Sequence, residues 1–519
     1  MKNKVLNLTI ITILIFGCSD IGTHDNTVCN EDFKSIKKTI VKKMDAGDFP
    51  SLSVAVIEKG KVLWMESFGY ADKENKIEAT PNTLYTIASI SKPITATGVM
   101  KLVERGQLDL DVDIQTYLDT LKLEYYSGDS TKISCRNLLT HTSGLPIHFQ
   151  YFYGNELAAI PDLSQSIEQY GIVISPPSSK HDYSNLGYGI LGEVITKTTG
   201  LSFPEYMEKE VFIPLGMMQT TLDISSKTKN KLAKRYDTSG KLMPFSFSDA
   251  PGSSNVSTTI KDLIHFGMFH LGTTSEDSLA LLSNKTIQSM QEKQFPDNAN
   301  GRNTYGLGWF LNDTDYKYKM VYHAGGMDGV DAMIRILPEK EIVVAAISNQ
   351  YTEYTHELTE QILLQMVPDL KLVGPEQAQT SDSANQEKSK EIQQSDLQGI
   401  WDGHIVIPND QIPIELIFQE DGNIQVTMPI QFESMLLRTD KYEIQHKMLL
   451  NKWFFNNGHL MGWYAGNIPG KHLIRCPQTT LLNLEYKNEK LVGIAVALAS
   501  NSSRMYYALS HYLELEKRK

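Results

Sequence analysis

The stretch Leu84-Tyr85-Thr86-Ile87-Ala88-Ser89-Ile90-Ser91-Lys92-Pro93 decides the fold prediction. Ser89 closes an apolar-rich run and lies three residues before Lys92, and the residues that follow, up to Gly106, have apolar side chains at helical spacing. In a helix, residues three apart share a face, with Cβ atoms about 5–6 Å apart. A neutral amine at that distance can take the proton of a serine hydroxyl and activate it as a nucleophile. The pattern therefore predicts a helix that presents a reactive serine beside its base.

Two other serine–lysine pairs show that the spacing alone is weak. Ser35 and Lys38 lie in a lysine-rich stretch, and Ser226 and Lys229 lie in a polar run. Both pairs are predicted to be solvated surface. Ser89 differs because it stands directly before an apolar helix, although a plain helix N-cap would need the same residue type. The choice between these interpretations depends on the other motifs.

A second motif lies in the loop Lys180-His181-Asp182-Tyr183-Ser184-Asn185, which runs into an apolar helix. Such a loop can direct polar groups into a cleft. A phenol whose pKa is lowered by a nearby ammonium can relay a proton, and an amide can hold a substrate carbonyl. Alone, Tyr183 and Asn185 would be an ordinary turn, since the chain has 24 tyrosines.

The third motif, His323-Ala324-Gly325-Gly326, ends a predicted strand that begins at Met320. Residues 332–336 and 342–347 complete a three-stranded antiparallel meander. Glycines on an edge strand let a backbone N–H approach a reacting carbonyl, as an oxyanion hole requires. Taken alone, His323 is equally consistent with a structural histidine.

The order and spacing of the three motifs resemble the class C β-lactamase branch of the penicillin-binding serine hydrolases, which includes D-alanyl-D-alanine carboxypeptidases, D-aminopeptidases and esterases. Framework segments of that family also match at Asn137 to Leu145, Pro214 to Met217 and Tyr305 to Trp309. The resemblance covers roughly residues 34 to 370. It implies an α+β fold in which an antiparallel sheet is flanked by helices and carries a helical subdomain.

The resemblance also implies roles for the motif residues. Ser89 would be the nucleophile, Lys92 and Tyr183 would share the proton transfer, and Asn185 would contact the acyl side of the substrate. His323 and Gly325 match the strand motif as substrate-binding residues. The backbone N–H groups of Ser89 and Gly326 would form the oxyanion hole.

One departure from the family pattern concerns the substrate. Many members carry Lys-Thr-Gly where this chain has His323-Ala324-Gly325, so the permanent positive charge that holds a drug carboxylate is missing. We therefore expect a carboxypeptidase or esterase in preference to a true β-lactamase. An imidazole with the ordinary pKa near 6.5 would bind a carboxylate in a pH-dependent manner.

Composition excludes several classes of function. The 519 residues are 41% hydrophobic, which predicts two or three domains with real cores. With 49 Lys and Arg against 61 Asp and Glu, the net charge is -12, and no basic stretch or base-stacking motif predicts nucleic-acid binding.

Asp109, Asp111 and Asp113 alternate as in a calcium loop, but Ile114 stands where glycine is needed. We expect no metal and no cofactor.

The N-terminus predicts export. A basic start precedes an apolar run from Val5 to Phe16 that is too short to span a bilayer comfortably. Residues 1–18 read as a signal peptide whose end, Ile15-Phe16-Gly17-Cys18, resembles a bacterial lipobox. Cys18 would then be lipidated and anchor the protein in the cell envelope, facing the periplasm or exterior, with no other membrane contact. A cleaved, soluble secreted protein is the competing interpretation.

Cys135 is predicted to be a buried thiol.

Four regions follow from the patterning. After the signal peptide comes a hydrolase domain at 34–370, whose early hairpin, Ser51 to Glu58 and Lys61 to Phe68, should pair with the late meander. A polar linker occupies 371–394. An all-β, possibly lipocalin-like module occupies 395–515, with strands at Ile412 to Phe418, Ile424 to Met428, Leu481 to Tyr486 and Leu491 to Ala497. The linker predicts few contacts across the boundary, so a chain ending near Leu372 should fold and keep its reactive serine.

Two functions of different class remain. The first is a serine hydrolase that forms a covalent acyl-enzyme with a small-molecule or peptidoglycan-type substrate, whose scissile bond is in an ester, a D-amino-acid peptide or a β-lactam. The second is a non-catalytic envelope lipoprotein that uses the fold and the β module for binding or sensing. The joint presence of hydroxyl, amine, phenol and amide favours the enzyme.

Overall fold

The structure is a computed structural model that describes residues 28–29, 31–126, 132–223, 225, 231–272, 281–295, 304–312, 315–370, 394–407, 410–432, 442–456, 458–465, 468, 478–501 and 504–519. The predicted signal peptide with Cys18 and all but the last residue of the predicted linker lie outside these residues. The helices within them do not include one that is both long and apolar enough to cross a bilayer.

The strands of the hydrolase domain are β1 (Val28–Cys29), β2 (Ser51–Glu58), β3 (Lys61–Asp72), β4 (Ile77–Glu78), β5 (Tyr85–Thr86), β6 (Glu124–Tyr125), β7 (Phe149–Tyr153), β8 (Ile172–Val173), β9 (Arg235–Tyr236), β10 (Leu242–Met243), β11 (Ser246–Ser248), β12 (Ser257–Thr258), β13 (Thr304–Tyr305), β14 (Phe310–Asn312), β15 (Met320–Met327), β16 (Val330–Leu337) and β17 (Ile342–Ser348). The long strands among them, β2, β3, β15, β16 and β17, all belong to the central sheet of the domain.

The helices alternate with these strands. They are α1 (Lys34–Asp45), α2 (Ser91–Glu104), α3 (Gln115–Leu118), α4 (Cys135–Leu139), α5 (Leu163–Tyr170), α6 (Asn185–Thr199), α7 (Phe203–Met207), α8 (Pro251–Ser254), α9 (Ile260–Leu271), α10 (Asn284–Met290) and α11 (Tyr354–Met366). Single 3-10 turns occur at Glu31–Phe33, Ala88–Ile90, Gly154–Ala159, Pro338–Lys340 and Gln394–Leu397, and a π turn at Glu208–Phe212.

The central sheet is antiparallel, with strand order β1-β3-β2-β17-β16-β15-β14-β13. The early hairpin turns at Lys59 and Gly60, both with positive φ, as a tight two-residue hairpin requires. Its strand β2 pairs with β17, Val56 opposite Val344, so the early hairpin and the late meander form one sheet as predicted. The predicted α+β class with a helical subdomain is confirmed.

Both faces of the sheet are covered, which explains why its strands are apolar on both sides. Val54 and Val56 pack with Trp64 against one layer formed by α1 and α11. Ala55 and Ile57 point to the opposite layer, which contains α2 and α9. The helix α2 is thereby held between the sheet and the helical subdomain, and it begins at the reactive serine motif.

The C-terminal region is an antiparallel, near-barrel sheet, as predicted. Its strands are β18 (Gly399–Ile407), β19 (Asp410–Phe418), β20 (Ile424–Phe432), β21 (Tyr442–Leu449), β22 (Asn451–Asn456), β23 (His459–Ala465), β24 (Gln478–Lys487), β25 (Lys490–Asn501) and β26 (Arg504–Lys517). The strand order β21-β20-β19-β18-β26-β25-β24-β23-β22 places the last strand beside the first. Trp401, Leu416, Leu460, Leu482 and Leu513 lie buried in its interior.

The sheet of this region continues into the hydrolase domain. Strand β26 pairs with β7, with Tyr507 opposite Gln150 and Ala508 opposite Phe149, and β7 pairs on its other side with β11. The expectation of few contacts across the boundary is therefore wrong. A polar linker marks where the chain leaves one domain, but it does not limit how the two domains pack.

Candidate active site

Ser89 lies in a strained turn between β5 and α2. Ala88, directly before it, has a φ of +44° and is almost completely buried. A left-handed non-glycine residue costs on the order of 1–3 kcal/mol and persists only where the surroundings fix it. Here the Ile87 N–H donates to the Val256 carbonyl at 3.1 Å. The helix α2 begins at Ser91, so Ser89 precedes the helix that it was expected to open, and Ser89 as a residue is half-buried.

Lys92 has no exposed surface, and its Nζ contacts three oxygen atoms: Ser89 Oγ at 3.1 Å, Asn185 Oδ1 at 2.7 Å and the Ser253 carbonyl at 3.0 Å. Burial lowers the pKa of Lys92 well below its ordinary value, because the charged form is poorly solvated there. A neutral amine has two N–H groups and one lone pair. The two carbonyl oxygens can only accept, so the lone pair remains for the proton of the Ser89 hydroxyl.

Asn185 is the first residue of α6, after the N-cap Ser184, whose Oγ accepts from the Gly187 N–H at 3.3 Å. Its Oδ1 accepts from Lys92, and its Nδ2 donates to the His148 carbonyl at 2.9 Å. Asn185 was predicted to contact the acyl side of the substrate. The structure instead uses the amide carbonyl to hold Lys92, which leaves one Nδ2 hydrogen for a substrate.

Tyr183 places its ring 4.7 Å from Lys92 Nζ, and its phenol forms a hydrogen bond with the Ser89 hydroxyl. Burial raises the pKa of Tyr183. The expectation that a neighbouring ammonium lowers it is wrong in direction, because the buried amine of Lys92 is disfavoured as a cation. The phenol therefore keeps its proton and acts as a neutral hydrogen-bonding group.

His323 is buried and does not face the cleft as an exposed cation. Its Nδ1 lies 2.7 Å from the Ala324 carbonyl, and its Nε2 lies 3.1 Å from the Tyr305 hydroxyl. A carbonyl can only accept, so Nδ1 donates and Nε2 accepts. Burial, with the nearby Lys92 as a smaller cause, lowers the pKa of His323 to about 3. The expectation that His323 has an ordinary imidazole pKa is therefore wrong, and its role as a substrate-binding residue stays a prediction.

Strand β15 passes beside the Ser89 turn as a sheet edge. Among the described residues, β14 pairs with β15 only from Met320 to Tyr322, which leaves the part that contains Gly325 and Gly326 open. A Cβ on Gly325 would lie 2.0 Å from the Ile87 carbonyl oxygen. Glycine is therefore required for this close approach. It brings the edge next to the backbone of Ser89, as an oxyanion hole formed by Ser89 and Gly326 would need.

A cavity of about 690 Å³ adjoins the same edge. Gly325 and Gly326 form part of its wall, and Asp331, Glu353 and Glu357 add carboxyl groups. Ser89, Lys92, Tyr183 and Asn185 are not among the residues that line it. Within the described part of the chain, no three His, Cys, Asp or Glu side chains come together as a possible metal site.

The sequence motifs miss the residues that support the site from behind. His141 has a φ of +57° and is buried, its Nδ1 accepts from the Ser184 N–H at 3.1 Å, and its ring lies 4.2 Å from that of Tyr183. His141 could have been identified from the sequence by its place within the framework segment Asn137 to Leu145. The role of the Ser253 carbonyl could not have been predicted from the sequence, because a main-chain acceptor is independent of residue type.

The fold and this arrangement are those of a serine hydrolase, and comparison with known proteins agrees. The family model described as "Beta-lactamase" matches residues 36–366. This chain belongs to the beta-lactamase family, and its general class is serine hydrolase.

Relatives in sequence include "Protein flp" of Staphylococcus aureus (strain N315), which is 28% identical over 346 residues, 65% of this chain and 67% of that protein. A penicillin-binding protein of Bacillus subtilis (strain 168) is 27% identical over 327 residues, 58% of this chain and 69% of that protein.

Two solved structures share the fold. An octameric penicillin-binding protein homologue from Pyrococcus abyssi superposes with a TM-score of 0.56 at 21% identity, covering 93% of this chain and 99% of its own. A class C beta-lactamase from Rhodobacter sphaeroides gives a TM-score of 0.54 at 20% identity and covers 65% of this chain and 100% of its own. The first likeness therefore extends beyond the hydrolase domain into the C-terminal sheet.

Proposed function

We propose that this protein hydrolyses an ester or amide through an acyl-enzyme on Ser89, with Lys92 as the base. One observation carries the proposal: Lys92 Nζ is fully buried, holds two carbonyl oxygens and directs its third contact at the Ser89 hydroxyl. Burial favours the neutral amine that a base must be. Ser89 is only half-buried, so a substrate can approach the residue that Lys92 contacts.

The reaction follows from these contacts. The Ser89 hydroxyl proton passes to Lys92 as Oγ bonds to the substrate carbonyl carbon, and the N–H groups of Ser89 and Gly326 stabilise the oxyanion. The bond to the leaving group breaks, and that group takes a proton from Lys92 directly or through the Tyr183 phenol. Water then attacks the acyl group, Lys92 accepts its proton, and Ser89 is regenerated with release of the acid.

The electrostatics favour a substrate with no carboxylate close to the scissile bond. The structure gives Lys92 and His323 environments that disfavour their cations, so neither side chain offers a permanent positive charge to a substrate carboxylate. A β-lactam drug and a C-terminal D-alanine peptide both carry a carboxylate. We therefore propose a neutral ester or an internal amide as the substrate, which ranks esterase above carboxypeptidase and both above β-lactamase.

A fluorophosphonate probe tests the assignment of the nucleophile. The probe should label the protein on Ser89, because only an activated hydroxyl reacts with it at a useful rate. Mass spectrometry of the labelled peptide locates the adduct. Ser89→Ala should abolish the labelling. Ser35→Ala, which removes the exposed serine of a pair with the same spacing, should leave the labelling unchanged.

Labelling that survives in Ser89→Ala would remove Ser89 from the mechanism. A folded wild-type protein that reacts with neither the probe nor any ester, amide or lactam would leave the alternative, a binding or sensing protein that keeps the fold without the chemistry. In that case the C-terminal sheet would be the part to examine for ligands.

We also propose export to the bacterial cell envelope with a lipid on Cys18. The support is the sequence of residues 1–18, with its basic start, apolar run and lipobox-like end. Incorporation of a labelled fatty acid that Cys18→Ser removes is the expected result. A protein that is released into the medium without lipid would favour the cleaved, secreted alternative.

A further inference from the structure

One of the contacts between the C-terminal sheet and the hydrolase domain is made by residues 147–150. Strand β26 pairs with β7 at Gln150 and Phe149, and the Ser510 hydroxyl donates to the Ile147 carbonyl at 2.6 Å. Without β26, this side of β7 would be an unpaired sheet edge. The interface therefore fixes the main chain directly on both sides of His148.

His148 connects this interface to the active site. Its carbonyl accepts the Asn185 Nδ2 hydrogen bond at 2.9 Å, the Asn185 Oδ1 accepts from Lys92 at 2.7 Å, and Lys92 Nζ lies 3.1 Å from Ser89 Oγ. The path from Ser510 to Ser89 is thus made of hydrogen bonds and of the main chain of two consecutive residues, Ile147 and His148. The imidazole of His148 is held separately by Asp249, at 2.9 Å.

We propose that the C-terminal domain is a positioning element of the active site: β26 fixes residues 147–150 and thereby the Asn185 amide that holds Lys92 against Ser89. This inference rests on the proposed function, and it identifies Ser510 as a positioning residue that never meets the substrate. The domain would then be required for the rate of the acylation step and not only for stability.

Greater freedom of residues 147–150 would change the solvation of Lys92. If the His148 carbonyl moves, Asn185 can turn away from Lys92 and water can enter. Better solvation favours the ammonium, so the fraction of Lys92 that is neutral near pH 7 falls and the acidic limb of the rate profile moves to higher pH. The other titratable groups beside Lys92 are Tyr183, Tyr188, His141 and His323.

Around His148, the titratable groups are Asp249, Tyr170 and His511, the last on β26. Burial lowers the pKa of His511 to about 4. The Ser510 hydroxyl can therefore be removed without changing the charge state of this group between pH 5 and 9. Titration of His511 would then not account for a shifted profile in this range.

Ser510→Ala in the full chain tests the proposal. We expect the second-order rate of Ser89 labelling by a fluorophosphonate to fall about tenfold at pH 7, the usual effect of losing one buried hydrogen bond, and its acidic limb to move up. Ser510→Thr keeps the hydroxyl and should restore both. Thr480→Ala removes a buried hydroxyl from β24, two strands from β26, and should lower stability without moving the profile.

If Ser510→Ala also lowers stability, a double-mutant cycle separates its effect on the active site from its effect on folding. In an Asn185→Ala background the path is already broken, so Ser510→Ala should have little further effect on the labelling rate. Independent, multiplicative effects of the two substitutions would overturn the proposal. So would an unchanged rate and profile in folded Ser510→Ala. A wild-type protein that is not labelled on Ser89 would instead overturn the proposed function.

Discussion

The environment of one amine dominates the chemistry of this site. Lys92 is buried and surrounded by oxygen acceptors and aromatic rings, with no carboxylate in contact among the described residues. The fold therefore disfavours the charged state of a strongly basic group, at a cost in stability. That cost is the price of a base that works at neutral pH.

Lys92→Met should reveal this cost as a change in the pH dependence of stability. In the wild type, the unfolded chain binds a proton at Lys92 below about pH 10.4, and the folded chain does not until its lowered pKa is reached. Wild-type stability should therefore rise relative to the variant by up to about 1.4 kcal/mol per pH unit between pH 7 and 10. Denaturant unfolding across that range measures it, and labelling of Ser89 should fall at least about a thousandfold.

Lys38→Met supplies the control, since Lys38 is exposed and occupies the same position in the Ser35 pair. It should show no such pH trend. A Lys92→Met protein whose stability parallels the wild type at every pH would mean that Lys92 is charged in the folded state.

Titration of His323 should not affect the binding of a charged substrate between pH 5 and 8. With its pKa lowered to about 3, the imidazole stays neutral over this range. The KM values of a carboxylate-bearing ester and a neutral ester of the same size should therefore change with pH in parallel, within about twofold. A KM that rises with pH for the acid alone would show that His323 titrates in the cleft.

The contact between the β15 edge and the Ser89 turn sets the geometry of the proposed oxyanion hole. Gly325→Ala should lower Ser89 labelling at least about a hundredfold, because a Cβ 2.0 Å from the Ile87 carbonyl must displace one of the two backbones. Gly326→Ala is the matched comparison. Its Cβ would lie 2.8 Å from the partly exposed ring of Tyr351, which can turn aside, so we expect a loss within about tenfold.

Equal effects of the two alanine substitutions would contradict this account of the edge. Labelling rates with the same fluorophosphonate make the comparison, and near-native circular dichroism confirms that both variants fold.

The sequence predicted what local chemistry dictates. The early hairpin, the meander, the apolar helix after Ser89 and four strands of the C-terminal sheet follow from periodicity and turn residues. The motifs also named the residues that the structure brings together around Lys92. What they could not supply is the surroundings of a side chain: burial lowers the pKa of His323, and no local pattern contains that information.

The pairing of strands that are distant in the sequence is the second feature that could not be predicted. The polar linker suggested two independent domains, yet β7 and β26 belong to one sheet. Strand pairing between distant segments depends on which edges remain free after each domain has folded, and the residues of β7 and β26 carry no mark of their partner. The truncation near Leu372 is therefore expected to lose β26 and its contacts with 147–150.

Cleavage of the chain within residues 371–393 should leave the two domains associated. The sheet continues across the interface, the rings of Tyr126 and Tyr512 stack at 4.3 Å, and Ser510 bonds to Ile147. A protease site introduced in the linker permits the cut. The fragments should elute together in gel filtration, and the rate of Ser89 labelling should stay within about twofold. Fragments that separate would show that the linker, and not the interface, holds the molecule together.

The pH dependence of Ser89 labelling in the wild-type protein tests the central claim most directly. If Lys92 is a buried neutral base, the fluorophosphonate rate should rise with pH through an inflection well below the ordinary lysine pKa near 10.4, and the inflection should be absent in Lys92→Met. The adduct should map to Ser89 at every pH. An inflection near 10.4, or the same profile in Lys92→Met, would contradict the assignment of Lys92 as the base.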